Sequence, residues 1–124
     1  MANELTYQFQ IALNNVSLVD NYSSSGKQAT QAVAFLVRNV QTVGTTAGGD
    51  ALGLGGVLTP GFAIFVNMDI INYVEVGSNV AATFYPFLKL KPGEQCGPMR
   101  IGIAAPYARA NTLAAKLFYI IYND

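Results

Sequence analysis

The chain has 124 residues, 52% of them hydrophobic and 11% charged, and its seven basic and seven acidic side chains cancel. That length suits one domain with one hydrophobic core, which needs neither a metal nor a disulfide to fold. Globular chains usually carry about a quarter charged residues, so much of this surface is expected to be uncharged polar or covered by a partner.

The basic residues Lys27, Arg38, Lys89, Lys91, Arg100, Arg109 and Lys116 are scattered. No basic stripe offers itself to phosphates, so no nucleic-acid partner is expected. No apolar run approaches the ~20 residues of a membrane-spanning helix. The opening MANELTYQFQ lacks the basic-then-apolar order of a signal peptide. The expectation is a single β domain over 1–124, with no membrane partner.

In chain order, Leu5, Tyr7, Phe9, Ile11 and Leu13 share one parity, and Thr6, Gln8 and Gln10 the other. That alternation predicts a half-buried strand. Asn14-Asn15 reads as a turn, 17–19 as a short apolar piece, and 21–26 (NYSSSG) as a polar loop. The β-branched run 31–44 (QAVAFLVRNVQTVG) reads as a strand. Its Gln and Ala residues leave a helix over 28–38 as the competing reading.

The stretch 45–61 (TTAGGDALGLGGVLTPG) is glycine-rich but lacks the Lys and following helix of a phosphate loop. Its glycines are assigned to turns and close approaches around a short strand. Strands are expected at Phe62–Val66, Tyr73–Val76 and Thr83–Leu90. Lys91-Pro92-Gly93-Glu94 is a turn, because Pro presets φ and Gly accepts positive φ after it. Met99–Ile103 reads as a strand, 106–111 as a loop and Leu113–Tyr122 as the last strand. In that strand both parities are largely apolar, so both faces are expected to be covered, one of them by a partner chain. About eight short strands with Gly, Pro and Asn turns predict an all-β antiparallel sandwich or jelly-roll-like barrel.

Chemistry finds few candidates. Cys96 is the single cysteine and the chain has no histidine. That excludes an internal disulfide, a cysteine zinc site and an imidazole-activated nucleophile. Asn67, Asp69 and Asn72 could be metal ligands, but one carboxylate and two amides make a weak site for a hard cation. Asp69 and Glu75 could be a catalytic pair, though nothing in the sequence sets them across a cleft. The better reading of 67–72 is a turn, because Asn and Asp bond their own backbone. Tyr7, Tyr73, Tyr85, Tyr107, Tyr119 and Tyr122 belong to a core or an interface, or else to a sugar-binding platform. No catalytic, cofactor-binding or metal-binding residue is assigned, no cofactor is expected, and the chain is read as not an enzyme.

Three segments carry a resemblance. They are 65–77 (FVNMDIINYVEVG), 84–94 (FYPFLKLKPGE) and 110–122 (ANTLAAKLFYIIY). Their patterns N-x-D-x-x-N-Y-V-E-x-G, L-K-P-G-E and A-N-T-x-A-x-x-L are similar to those of small virion-associated proteins of tailed bacteriophages. The resemblance covers about half the chain and rests on turns and strands. It implies a compact β domain of the capsid decoration or cement type, made in the bacterial cytoplasm and placed on the capsid surface. The implied partners are the major capsid protein and further copies of the chain, with a trimer favoured by threefold lattice points. The alternative is a tail- or fibre-associated β module that binds a host surface glycan through exposed tyrosines.

Overall fold

The computed structural model of the chain describes residues 4–31 and 33–124. The readings of 28–38 and 31–44 therefore each include one position, 32, outside the described residues, and the signal-peptide reading begins on three others, 1–3. The strands are β1 (Leu5–Tyr7), β2 (Gln10–Asn15), β3 (Leu18–Ser23), β4 (Lys27–Ala29), β5 (Leu36–Val43), β6 (Asp50–Ala51), β7 (Pro60–Asn67), β8 (Val74–Val80), β9 (Thr83–Leu90), β10 (Gln95–Arg100), β11 (Tyr107–Ala110) and β12 (Ala115–Asn123). No described residue is helical, which excludes the helix over the described part of 28–38, but the strand expected over 31–44 is also shortened: Gln31 and residues 33–35 are not strand, and β5 begins at Leu36. Every strand pair is antiparallel. The chain forms two compact units, Met1–Ala32 and Val33–Asp124.

The first unit is a ribbon. β1 pairs with β4, from Leu5 opposite Ala29 to Tyr7 opposite Lys27. β2 pairs with β3, from Gln10 opposite Ser23 to Asn15 opposite Leu18. The two pairs are joined by Ser24 N–H to Phe9 O and by Phe9 N–H to Ser24 Oγ, both 2.9 Å. Three expectations are corrected here. The turn is at Val16-Ser17, and Asn14 and Asn15 lie inside β2. The supposed loop 21–26 contributes Asn21–Ser23 to β3. The expected strand from Leu5 to Leu13 is split between β1 and β2, and every residue of β2 and β3 is exposed, so Ile11 and Leu13 are not half-buried.

The second unit is a β-sandwich, and its two sheets stay separate instead of closing into a barrel. One sheet has the order β10-β7-β12-β5, the other β6-β11-β8-β9. After β5 the chain changes sheet at nearly every connection, and only β8 and β9 form a local hairpin. The core between the sheets takes Val43, Ala63, Phe65, Leu117, Tyr119 and Ile121 from the first sheet, and Val74, Val76, Leu90, Ala108 and Ala110 from the second. Alternation then turns Phe118, Ile120 and Tyr122 of β12 outward.

β9 matches its expected bounds, and the Lys91–Glu94 turn has Gly93 at φ 77° with Glu94 N–H bonded to Lys91 O at 3.0 Å. Other expected bounds shift. β7 and β8 run longer than expected, β10 ends at Arg100 where the strand was placed on Met99–Ile103, and β12 runs Ala115–Asn123. The expected loop 106–111 holds β11, whose four residues pair with β8 and whose first two, Tyr107 and Ala108, also pair with β6.

Candidate functional site

Between β7 and β8 the chain crosses from one sheet to the other through residues 68–73. Asn67 is fully buried. Its Nδ2 donates to Asn72 O at 2.8 Å and Leu90 O at 3.0 Å, and its Oδ1 accepts from Asp69 N–H at 2.9 Å. Asp69 Oδ1 accepts from Ile71 N–H at 2.7 Å and Asn72 N–H at 2.6 Å. Those backbone donors, Asn72 first and then Ile71, hold the Asp69 carboxyl below the ordinary carboxylate range. The loop is also tied to its neighbours. Asn67 N–H bonds Glu94 O, Met68 N–H bonds Lys116 O, and Gly93 N–H bonds Asn67 O, at 2.9, 2.9 and 3.1 Å.

Asn67 and Asp69 are thus turn hardware engaged with the loop's backbone, while the Asn72 side chain joins Asp69 Oδ1 to the N–H of Leu113. Among the described residues no group of three or more His, Cys, Asp or Glu is placed to hold a metal ion. What the loop displays is apolar. Met68, Ile70 and Ile71 are 53%, 88% and 76% exposed, and Leu113, whose N–H bonds Asn72 Oδ1 at 3.4 Å, is 67% exposed. The sequence reading stopped at the polar members of NMDIIN. The interleaved Met and Ile were the signal for the display, once the polar residues had been assigned to the turn.

The other candidates are placed apart from this loop. Glu75 Oε2 pairs with Arg109 Nη2 at 2.8 Å, and that guanidinium lies 4.7 Å over the Phe84 ring, so Glu75 is bound to a cation and not aimed at Asp69. Cys96 is half-buried with its Sγ 3.4 Å from Met99 Sδ. The glycine-rich segment packs Leu52 and Val57 into the core, and Gly53 O accepts from the buried Tyr119 hydroxyl at 2.8 Å. The tyrosines divide between the two units. Tyr119 is core, Tyr22 is exposed on the ribbon, and Tyr85 is exposed on β9. A hollow lined by Phe87, Met99, Arg100, Ile101, Gly102 and Ile103 contains one ionisable group, Arg100, already paired with Asp124 at 2.5 Å.

A second apolar surface covers the outward face of the β10-β7-β12-β5 sheet. Phe118 lies opposite Val40 on one side and Val66 on the other. Ile120 lies between Arg38 and Ile64, and Tyr122 opposite Leu36. Leu36 and Val40 are 49% and 47% exposed, while Phe118, Tyr122, Ile64 and Val66 are half-buried. No protein-family model, curated protein or solved structure matches the chain.

Proposed function

We propose that this chain is a structural protein of a tailed-bacteriophage virion that decorates and stabilises the capsid shell, and that it is not an enzyme. It binds the major capsid protein as a homotrimer on the capsid surface, after synthesis in the bacterial cytoplasm. The observation that carries the reading is the 67–72 loop. Its Asn67, Asp69 and Asn72 side chains bond within the protein and fix its shape, and its large aliphatic side chains are exposed. Such a loop is preorganised, so docking loses little conformational entropy. Each aliphatic side chain it buries contributes about 1.5–3 kcal/mol. Several weak contacts made by one oligomer convert into lasting attachment. The motifs N-x-D-x-x-N-Y-V-E-x-G and L-K-P-G-E, which carry the resemblance to phage virion proteins, are the two turns that build this loop and its support.

A glycan-binding tail module is less favoured, because the two strongly exposed tyrosines, Tyr22 and Tyr85, belong to different units, and no tyrosine lines the hollow beside Phe87 or the one beside Asp69.

The test is binding to purified capsids, with electron microscopy of virions labelled by antibody to the chain. Label over the head, and capsid affinity reduced about tenfold or more by Ile70→Asp with Ile71→Asp, support the reading. Label confined to the tail overturns it.

A further inference from the structure

The β2–β3 hairpin has two unlike faces. Residues directly opposite across an antiparallel pair share a face. Ile11 is opposite Tyr22, Leu13 opposite Asp20, and Asn15 opposite Leu18. One face therefore holds Ile11, Leu13, Leu18 and Tyr22, while the other holds Gln10, Ala12, Asn14, Val19, Asn21 and Ser23. All four large side chains of the apolar face are exposed. A lone two-stranded hairpin is marginal in water and needs a surface to pack on.

The outward face of β7, β12 and β5 is a surface of the matching kind. The two faces also match in charge. Asp20 is the single charged residue of 10–23 and sits within the hairpin's apolar face. Arg38 stands on the sheet's apolar face, between Leu36 and Val40 along β5 and opposite Ile120. Neither belongs to an ion pair among the described residues. An acid set in one apolar face and a base set in the other mark a register as well as an attraction.

We propose that the hairpin is an exchange arm: its Ile11, Leu13, Leu18 and Tyr22 pack on the Leu36, Val40, Phe118 and Tyr122 face of a second copy of this chain, with Asp20 paired to Arg38. The second copy is the occupant because Asp20 and Arg38 give the two faces opposite charges, and a homo-oligomer calls for a surface that joins copies. The contact joins unlike patches, so it can close reciprocally between two copies or repeat head to tail around a ring, as in a trimer. The inference rests on the reading of the chain as a homo-oligomer and names the surface that makes it one.

The experiment is sedimentation velocity on the full chain, on Asp20→Arg, on Arg38→Asp, on the two mixed, and on one chain carrying both changes. Both positions are exposed, and circular dichroism checks that each variant keeps its strand signal. Each single variant sets like charges together and should raise the dissociation constant about tenfold or more. Mixing the two puts opposite charges back across every contact between unlike variants and should regain assembled mass, only in part for a trimer, which keeps one like-charged contact; the double variant should regain it fully alone. Assembly of the double variant without any gain on mixing places the arm on its own chain and overturns the proposal. Single variants that assemble like the parent also overturn it, and leave the homo-oligomer reading standing. A parent that stays monomeric at every concentration overturns both, whatever the capsid-labelling result.

Discussion

Asn67 offers two amide hydrogens and one carbonyl oxygen, and all of them are bonded inside the protein. Asn67→Leu would strip the Asn72 and Leu90 carbonyls of a donor in a dry site. The expected cost is about 2–4 kcal/mol, read by chemical denaturation. Asp69 acts through charge. Its folded-state pKa is lowered by backbone donors, so its contribution is complete above the ordinary carboxylate range and is lost as pH falls through the lowered value. The stability gap between the parent and Asp69→Ala should therefore be full at neutral pH and close only on strong acidification. A calcium titration should show no heat that depends on Asp69. At the β8–β9 turn, Ala81 and Ala82 have φ of 50° and 66°, the left-handed region that Asn and Gly occupy at least cost. Ala81→Asn with Ala82→Gly should stabilise the fold by about 0.5–1 kcal/mol, seen as a rise in Tm. At this scale the sequence is readable where one residue's own backbone chemistry decides, as at Pro92-Gly93. It is silent where a distant strand decides, as in the donation from Asn67 to Leu90.

β12 was legible as an element because Leu113–Tyr122 is one long, largely apolar run, and one of its two parities, Ala115, Leu117, Tyr119 and Ile121, is the set in the core. β11 was not, because Tyr107–Ala110 is short, contains Arg109, and follows Pro106. Its strand character comes from lying between β6 and β8, a tertiary fact. The ribbon shows the same override, since Asn14 and Asn15 have turn propensity yet are held in β2 opposite Val19 and Leu18. Gly77 marks the bulge where the β8–β9 register shifts. A Cβ there would overlap the Tyr85 carbonyl oxygen, which is backbone and cannot swing away. Gly77→Ala should cost about 3 kcal/mol or more by forcing the two strands apart, measured as a fall in the denaturation midpoint. Gly93→Ala makes a useful contrast, because its Cβ would meet nothing and only the positive φ of 77° opposes it.

At the scale of the whole molecule, few charged side chains meet two displays of large apolar ones, the 67–72 loop and the outward sheet face. Contiguous apolar patches of more than a few hundred Å² usually mark an interface. The purified protein should elute well above monomer mass. Phe118→Asp or Tyr122→Asp should reduce assembly more than they reduce stability, tested by light scattering beside thermal melting. The outward face was visible in the sequence as the second apolar parity of the last strand. The division at residues 32 and 33 was not, because the apolar run 33–37 (VAFLV) leads into β5 with no polar or glycine break on its side of the division. The apolar loop was hidden for a related reason: NMDIIN looks like a polar stretch until the roles of its residues are separated.

The place of β12 between β7 and β5 has a consequence for synthesis. Its neighbours are made first, yet they share no edge without it, and Val43 waits for Ala115, 72 positions later (115 − 43). Pairings over such distances form slowly. The ribbon is different, since its widest pair, Leu5 with Ala29, is 24 residues apart (29 − 5). A nascent chain still on the ribosome can therefore form its arm while the sandwich is short of its central strand. Until Ala115 and the residues after it emerge, β5 and β7 remain open to proteases and to the holding chaperones that bind exposed apolar strands.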